Sequence, residues 1–163
     1  MSDGKNTRRY FVGTVPEIPP GTRKIVEVEG RSIGVFNIDG TFYALLNRCP
    51  HQAAPLCLGR VVRTTLPSKP GEHVLAERAE TLRCPWHGWE FHIPTGESLF
   101  DPFRCKVRRY EVTVEPAGSG GDEARPRFIA YDDGEEWPRA ETYPVTVEAD
   151  RVILHLPGRS KTA

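Results

Sequence analysis

Along most of the chain, apolar and polar positions alternate with period two, the spacing of strands that bury one face. "RKIVEVEG" alternates from Lys24 to Val28 and meets a turn at Gly30. "RSIGVFNIDGTFYALLN" reads as strand, Asp39-Gly40 turn and strand, because an Asp-Gly pair between β-rich runs is a strong hairpin signal. "KVRRYEVTVE" alternates through Val107, Tyr110, Val112 and Val114, and "YPVTVEADRVILHLP" predicts a further hairpin turning near Ala149-Asp150. Few windows hold apolar residues at helical spacing. "HVLAERAETL" is the best of them, and it is short. The pattern predicts an all-β fold, a small sandwich or barrel of antiparallel strands.

Two segments interrupt the alternation, and both are expected as insertions within one domain spanning 1–163. Residues 63–80 carry Pro67, Pro70 and Gly71 near their start. Residues 116–142 are Gly-rich and then acidic, with Asp122, Glu123, Asp132, Asp133, Glu135 and Glu136, and they contain a predicted strand at Arg127–Tyr131. A basic run of Arg104, Lys106, Arg108 and Arg109 comes just before them. An electrostatic docking arm and a solvated loop are both open readings of this segment. The similar phrases "YEVTVE" and "YPVTVE" read as two strands with like face patterns rather than as a duplication.

Composition narrows the class. A chain of 163 residues is long enough for one domain with a real core and short for two. Lys+Arg and Asp+Glu balance at 22 each, so nothing drives the chain globally toward nucleic acid or a membrane surface. Fifteen glycines and fifteen prolines suit short strands joined by many turns. No apolar stretch follows Arg8-Arg9, so the pair does not read as an export signal. No stretch approaches the roughly 18 apolar residues of a membrane helix. A cytoplasmic location is therefore expected. There Cys49, Cys57, Cys84 and Cys105 would stay reduced, which favours metal ligation over disulfides.

Two short motifs carry the candidate chemistry. In "CPHQAAPL" Cys49 and His51 follow the strand "FYALLN"; in "CPWHGWEF" Cys84 and His87 follow "TLR". Each cysteine precedes a proline, which removes a backbone N–H and stiffens the loop. Two Cys and two His from two loops can make one four-ligand site. Tetrahedral zinc takes that inventory. So does a [2Fe–2S] centre with two Cys on one iron and two His on the other. The ligand order separates them. Zinc fingers usually draw the Cys pair from one place and the His pair from another. Here each loop supplies one of each, as a loop must if it reaches across both irons.

These two motifs resemble the Rieske iron–sulfur family, particularly the ferredoxin-type branch that serves ring-hydroxylating oxygenases. The resemblance covers roughly residues 12–114. It implies one [2Fe–2S] cluster per chain, with Cys49 and Cys84 on a buried iron and His51 and His87 on an outer one. It also implies antiparallel sheets carrying a small cluster-binding subdomain. "IPTGESLFDP", with Pro102, resembles the family's third loop, which covers the cluster. Respiratory members carry an extra, disulfide-forming cysteine in each ligand loop; Ala54 and Trp86 occupy those positions here. The same members place Ser and Tyr hydroxyls beside the cluster, where this chain has Trp89 and Phe91. Fewer donors to sulfur stabilise a reduced cluster less, so a potential near the low end of the Rieske range, roughly −150 mV, is expected. The spacer between the ligand loops is long for a ferredoxin.

The remaining residues have plainer readings. Cys57 and Cys105 are expected as small buried apolar residues. Trp86 and Trp89 fit a docking surface and a water shield about equally. His73, His92 and His155 are expected to be solvated or packed. His87 and His92 have a spacing seen in mononuclear iron sites. They would point to opposite sides of a strand, however, and the cluster already needs His87. With no second metal site the chain cannot activate oxygen by itself. The expected function is a one-electron carrier, not a complete catalyst, passing electrons from a reductase to a terminal enzyme such as a ring-hydroxylating oxygenase. Two alternatives stand: a Rieske-like small subunit of an oxidoreductase complex of the nitrite reductase type, and a structural zinc module.

Overall fold

The computed structural model describes residues 7–121, 123–131 and 149–157. Among them there is no α-helix. Seven strands form the main sheet: β1 (Thr7–Thr14), β2 (Arg23–Val28), β3 (Arg31–Ile38), β4 (Thr41–Leu46), β10 (Arg109–Glu115), β11 (Arg127–Tyr131) and β12 (Arg151–Pro157). Their order is β1-β12-β10-β4-β3-β2-β11, and every neighbouring pair is antiparallel. The sheet curls until its two ends meet. Tyr10 in β1 makes an isolated bridge with Ala124, just ahead of β11, and the Phe11 N–H donates to the Ala124 carbonyl at 3.1 Å.

Five short strands make up the rest. Strands β5 (Arg60–Val62), β8 (Thr81–Arg83) and β9 (Glu90–His92) form a small sheet; β6 (Thr65–Leu66) and β7 (Val74–Leu75) form a two-stranded ribbon. β5 and β8 pair up to Val62↔Thr81, so residues 63–80 leave and re-enter the small sheet at one point.

The strands β2, β3 and β4 are buried on both faces, and alternation decides which core each residue joins. Ile33 and Val35 of β3, with Val26 and Val28 of β2, pack with Val12, Tyr110, Val152, Leu154 and Leu156 inside the curl. Phe36 and Ile38, with Ile25 and Leu45, face the other way and pack with Leu56, Leu82, Phe91 and Ile93 of the smaller unit. Strands covered on both sides lose a simple inside-outside alternation. That is why Lys24 is buried at the start of β2, with its ammonium donating to the Val12 carbonyl at 2.7 Å.

Several expected boundaries shift. Asp39-Gly40 is a two-residue turn as expected, since Ile38 pairs with Thr41. The strand at Arg127–Tyr131 forms and pairs with β2. "HVLAERAETL" is not helical: Val74–Leu75 lies in β7, and β8 begins at Thr81. Its apolar residues are too few to cover a helix face, and pairing satisfies the backbone instead. Val107 lies before β10 and joins the opposite core from Tyr110. Both edges of β12 are taken by β1 and β10. The expected hairpin partner of β12, residues 143–148, lies outside the described residues, as do the acidic positions 122 and 132–136 and the first six residues.

Candidate metal centre

Both ligand motifs sit on loops that leave short strands and turn over the smaller core. The first starts where β4 ends. Asn47 ties it down: its Oδ1 accepts from the Cys57 N–H at 2.7 Å, and its Nδ2 donates to the Ser32 hydroxyl at 3.1 Å. The loop then closes on itself, with the Cys49 N–H donating to the Ala54 carbonyl at 2.9 Å and the Ala53 N–H to the Cys49 carbonyl at 2.8 Å. Leu56 and Cys57 plug into the core as a single 3-10 turn. Opposite them a side chain at position 34 is sterically excluded: a Cβ there would lie 2.6 Å from the Cys57 Sγ. Glycine at 34 is what admits the loop.

The second loop joins β8 to β9. It is held by two backbone bonds: the Cys84 N–H to the Trp89 carbonyl at 2.7 Å, and the Gly88 N–H to the Cys84 carbonyl at 3.0 Å. Gly88 has φ +71, a left-handed conformation that glycine adopts without a Cβ penalty. This turn swings the chain back so that His87 points outward and Trp89 returns toward the first loop.

The loops bring the four expected residues together in two pairs. Cys49 and Cys84 are buried, 1% and 3% exposed, with their thiols close enough to influence each other. Burial pushes the Cys49 thiol up from its ordinary value, and the Cys84 thiol adds to that. The backbone N–H groups of His51 and Gln52 act the other way. His51 and His87 are exposed, with ring centroids 5.1 Å apart and nearly perpendicular. Trp89 stacks on His51, centroids 4.6 Å apart and planes 16° apart, and Phe100 from the third loop meets Trp89 at 6.1 Å. Among the described residues, no three His, Cys, Asp or Glu side chains converge as they would around one ion. Two separated pairs, one of soft thiols and one of imidazoles, fit a two-iron centre better than tetrahedral zinc.

The residues read as plain have plain surroundings. Cys57 is fully buried, its thiol pushed up to about 12 by burial, and its sulfur lies 3.7 Å from the Leu45 carbonyl. Cys105 is half-buried against the same core, and burial, with Asp101 second, raises its thiol. All four cysteines are free. His92 contacts Thr95 and Glu80, at 3.0 and 3.3 Å, and His155 contacts the Thr113 hydroxyl at 2.8 Å. The two tryptophans differ in their surroundings: Trp89 stacks on His51, whereas Trp86 is 57% exposed. Sequence reasoning did not single out Asn47, Ala53 at φ +59, or Phe100. A capping-type amide directly before the loop was the one signal for Asn47.

The Rieske [2Fe-2S] domain matches residues 8–111. The 3-phenylpropionate/cinnamic acid dioxygenase ferredoxin subunit of Photorhabdus laumondii is 31% identical over 107 residues, covering 66% of this chain and 87% of that protein. The ferredoxin component of the naphthalene 1,2-dioxygenase system of Pseudomonas aeruginosa is 28% identical over 99 residues, covering 61% of this chain and 80% of that protein. Among solved structures, the ferredoxin of carbazole 1,9a-dioxygenase from Nocardioides aromaticivorans aligns with a TM-score of 0.49 at 24% identity, covering 66% of this chain and 90% of that one. The chain belongs to the Rieske [2Fe-2S] family, and its cofactor is a [2Fe-2S] cluster. Its donor set fits that cofactor, with a buried thiol pair and an exposed imidazole pair.

Proposed function

We propose that the chain is a one-electron carrier in which Cys49, Cys84, His51 and His87 hold the cluster. The whole chain, 1–163, acts as a single domain, with 63–80 and 116–142 as insertions. When bound, the cluster takes up and gives off one electron at a time. The protein's own residues do the rest. Cys49 and Cys84 anchor it within the core. His51 and His87 would hold it from the surface side, and Trp89 covers one face of His51. The observation that carries this reading is the asymmetry of the four residues, thiols buried and imidazoles exposed. Electron transfer needs close approach from one side and exclusion of water from the other.

The relatives named as ferredoxin components of dioxygenase systems support the same role, with a reductase as donor and an oxygenase as acceptor. None of these four residues is read as catalytic; they hold the cofactor, and the chain is read as a component of an oxidoreductase system and not its catalyst. No helix among the described residues is long and apolar enough to cross a membrane, and a cytoplasmic carrier is the reading we adopt. The test is a reductive titration of purified protein. The expected result is a red-brown chain that holds two irons and two acid-labile sulfides and takes up one electron per chain. A colourless chain with one bound zinc would overturn it.

A further inference from the structure

A groove runs along the first ligand loop and ends beside His51. It consists of two adjoining hollows of about 440 and 470 Å³, which share Leu46, Arg48, Ala53 and Arg108 in their walls. Arg31 lines the far hollow, and Lys106 and His51 line the near one. Among the described residues, no aspartate or glutamate lines either. Among the described residues, Lys106 pairs with Glu97 at 3.1 Å, while no carboxylate lies within ion-pair distance of Arg31, Arg48 or Arg108. The Arg108 guanidinium lies over the Tyr110 ring, its central carbon 5.4 Å from the centroid, which holds the charged end of the side chain in place. The chain as a whole is neutral, with 22 cationic and 22 anionic side chains, so this charge is a local asymmetry.

Three guanidinium groups in one groove suit carboxylates, which their planar forks bind in bidentate fashion. Neutral overall charge and a groove this short argue against a nucleic-acid backbone, which rewards many cations in register. The position adds the rest: the groove reaches an imidazole expected to carry the cluster's outer edge. We propose that this groove docks an acidic stretch, bearing Asp and Glu, of the protein that exchanges electrons with this chain. The inference rests on the carrier reading given above. Arg48 and Arg108 hold the acidic stretch beside His51, and Arg31 extends its grip away from the loop.

Two measurements test it, with Arg48→Gln/Arg108→Gln and Arg31→Gln as variants. In the first, reduced protein gives one electron to ferricyanide, an anion, or to hexaamminecobalt(III), a cation, over a range of ionic strength. For wild type we expect fast oxidation by ferricyanide that slows as salt is added, although the chain is neutral. In the double variant the ferricyanide rate at low salt should fall by roughly three- to tenfold and lose its salt dependence, while the cobalt rate rises. Arg31→Gln, which leaves the ligand loop untouched, should give a smaller change of the same sign. In the second measurement, a hexaglutamate peptide is titrated while backbone amide shifts are followed by NMR. Shifts at 31–32, 46–48 and 108 that vanish in the double variant support the groove. A loaded variant with wild-type rates and salt dependence overturns it, as do peptide shifts centred on another face. Inorganic phosphate that reproduces the peptide's shifts at equal charge concentration would assign the groove to a small anion and overturn the docking role. Preparations without a cluster would sink the carrier reading instead, and the peptide titration would still decide whether the groove binds carboxylates.

Discussion

The two faces of β2–β4 meet different kinds of core. Inside the curl, Val, Ile and Leu from long paired strands fill the space, and the strands themselves supply the hydrogen bonds. On the other face, strands of three residues and two loops cover the sheet, and the filling includes Cys49, Cys57 and Cys84. Strands of three residues lie at the short end of the usual range. We therefore expect the inner core to stand on packing alone and the outer one to gain from its cofactor as a further clamp. The difference separates scaffold from site: long paired strands fill one core, and the two cysteine loops belong to the other.

The strongest break of this contrast is removal of the cluster. Cys49→Ser or Cys84→Ser should abolish cluster binding, read from lost visible absorbance and iron content. Hydrogen exchange should then speed up across 81–93 while β1, β10 and β12 keep their protection. Uniform loss of protection would mean that the halves are not separable.

Next come packing changes, one for each core. Leu154→Ala, at a fully buried site inside the curl, should cost about 2–5 kcal/mol in denaturant unfolding without changing the cluster spectrum. Gly34→Ala should cost about 1–3 kcal/mol by overpacking, and it should disturb loading, because its Cβ meets Cys57 directly. Adding Cys57→Ala should recover part of that cost, a coupling readable in a double-mutant cycle. Cys57 in the folded protein should resist alkylation, its thiol being buried and held at about 12.

A finer probe adds one hydroxyl. Phe91 is fully buried in the cluster-side core and offers no donor to sulfur. Phe91→Tyr should raise the reduction potential, since a donor to sulfur binds the more electron-rich reduced state better. A gain of about 1–2 kcal/mol corresponds to roughly 40–90 mV for one electron. Protein-film voltammetry of both forms at one pH measures it. An unchanged potential with the new hydroxyl on sulfur would mean that donors do not tune this site.

The smallest effect concerns closure of the barrel. Arg151 donates to Glu123 at 2.7 Å, and this hydrogen bond is the main reason the Glu123 carboxyl lies below its ordinary value; Arg9 adds a weaker pull. A carboxyl whose folded value is depressed stabilises the fold above its unfolded value, and that contribution is lost as pH falls through the folded one. Glu123→Gln should therefore lower stability slightly near neutral pH and leave it unchanged in strong acid, where wild type has also lost the charge. Urea unfolding at the two ends of that range reads the difference. An equal loss at both ends would point to packing and not charge.

Some of this was determined by local signals. Period-two alternation marked β2, β3, β4 and most of β10 and β12, because a half-buried strand writes its pleat into the residue order. The Asp39-Gly40 turn and the two Cys/His loops were equally plain, since turn geometry and ligand chemistry restrict residue types within a few positions. Other features were decided only when distant segments met. Which face of β3 belongs to which core depends on what packs there, and no property of Val35 or Phe36 separates the two. Glycine at 34 is explained only by Cys57, 23 positions later. Trp89 and Trp86 looked alike in one short motif, yet the return of the chain at Gly88 lays one on His51 and leaves the other in solvent. Arg31, Arg48 and Arg108 share a groove only because β3, the first ligand loop and the approach to β10 converge there. Composition records such charges, but it does not record their distances, and the distances set the field.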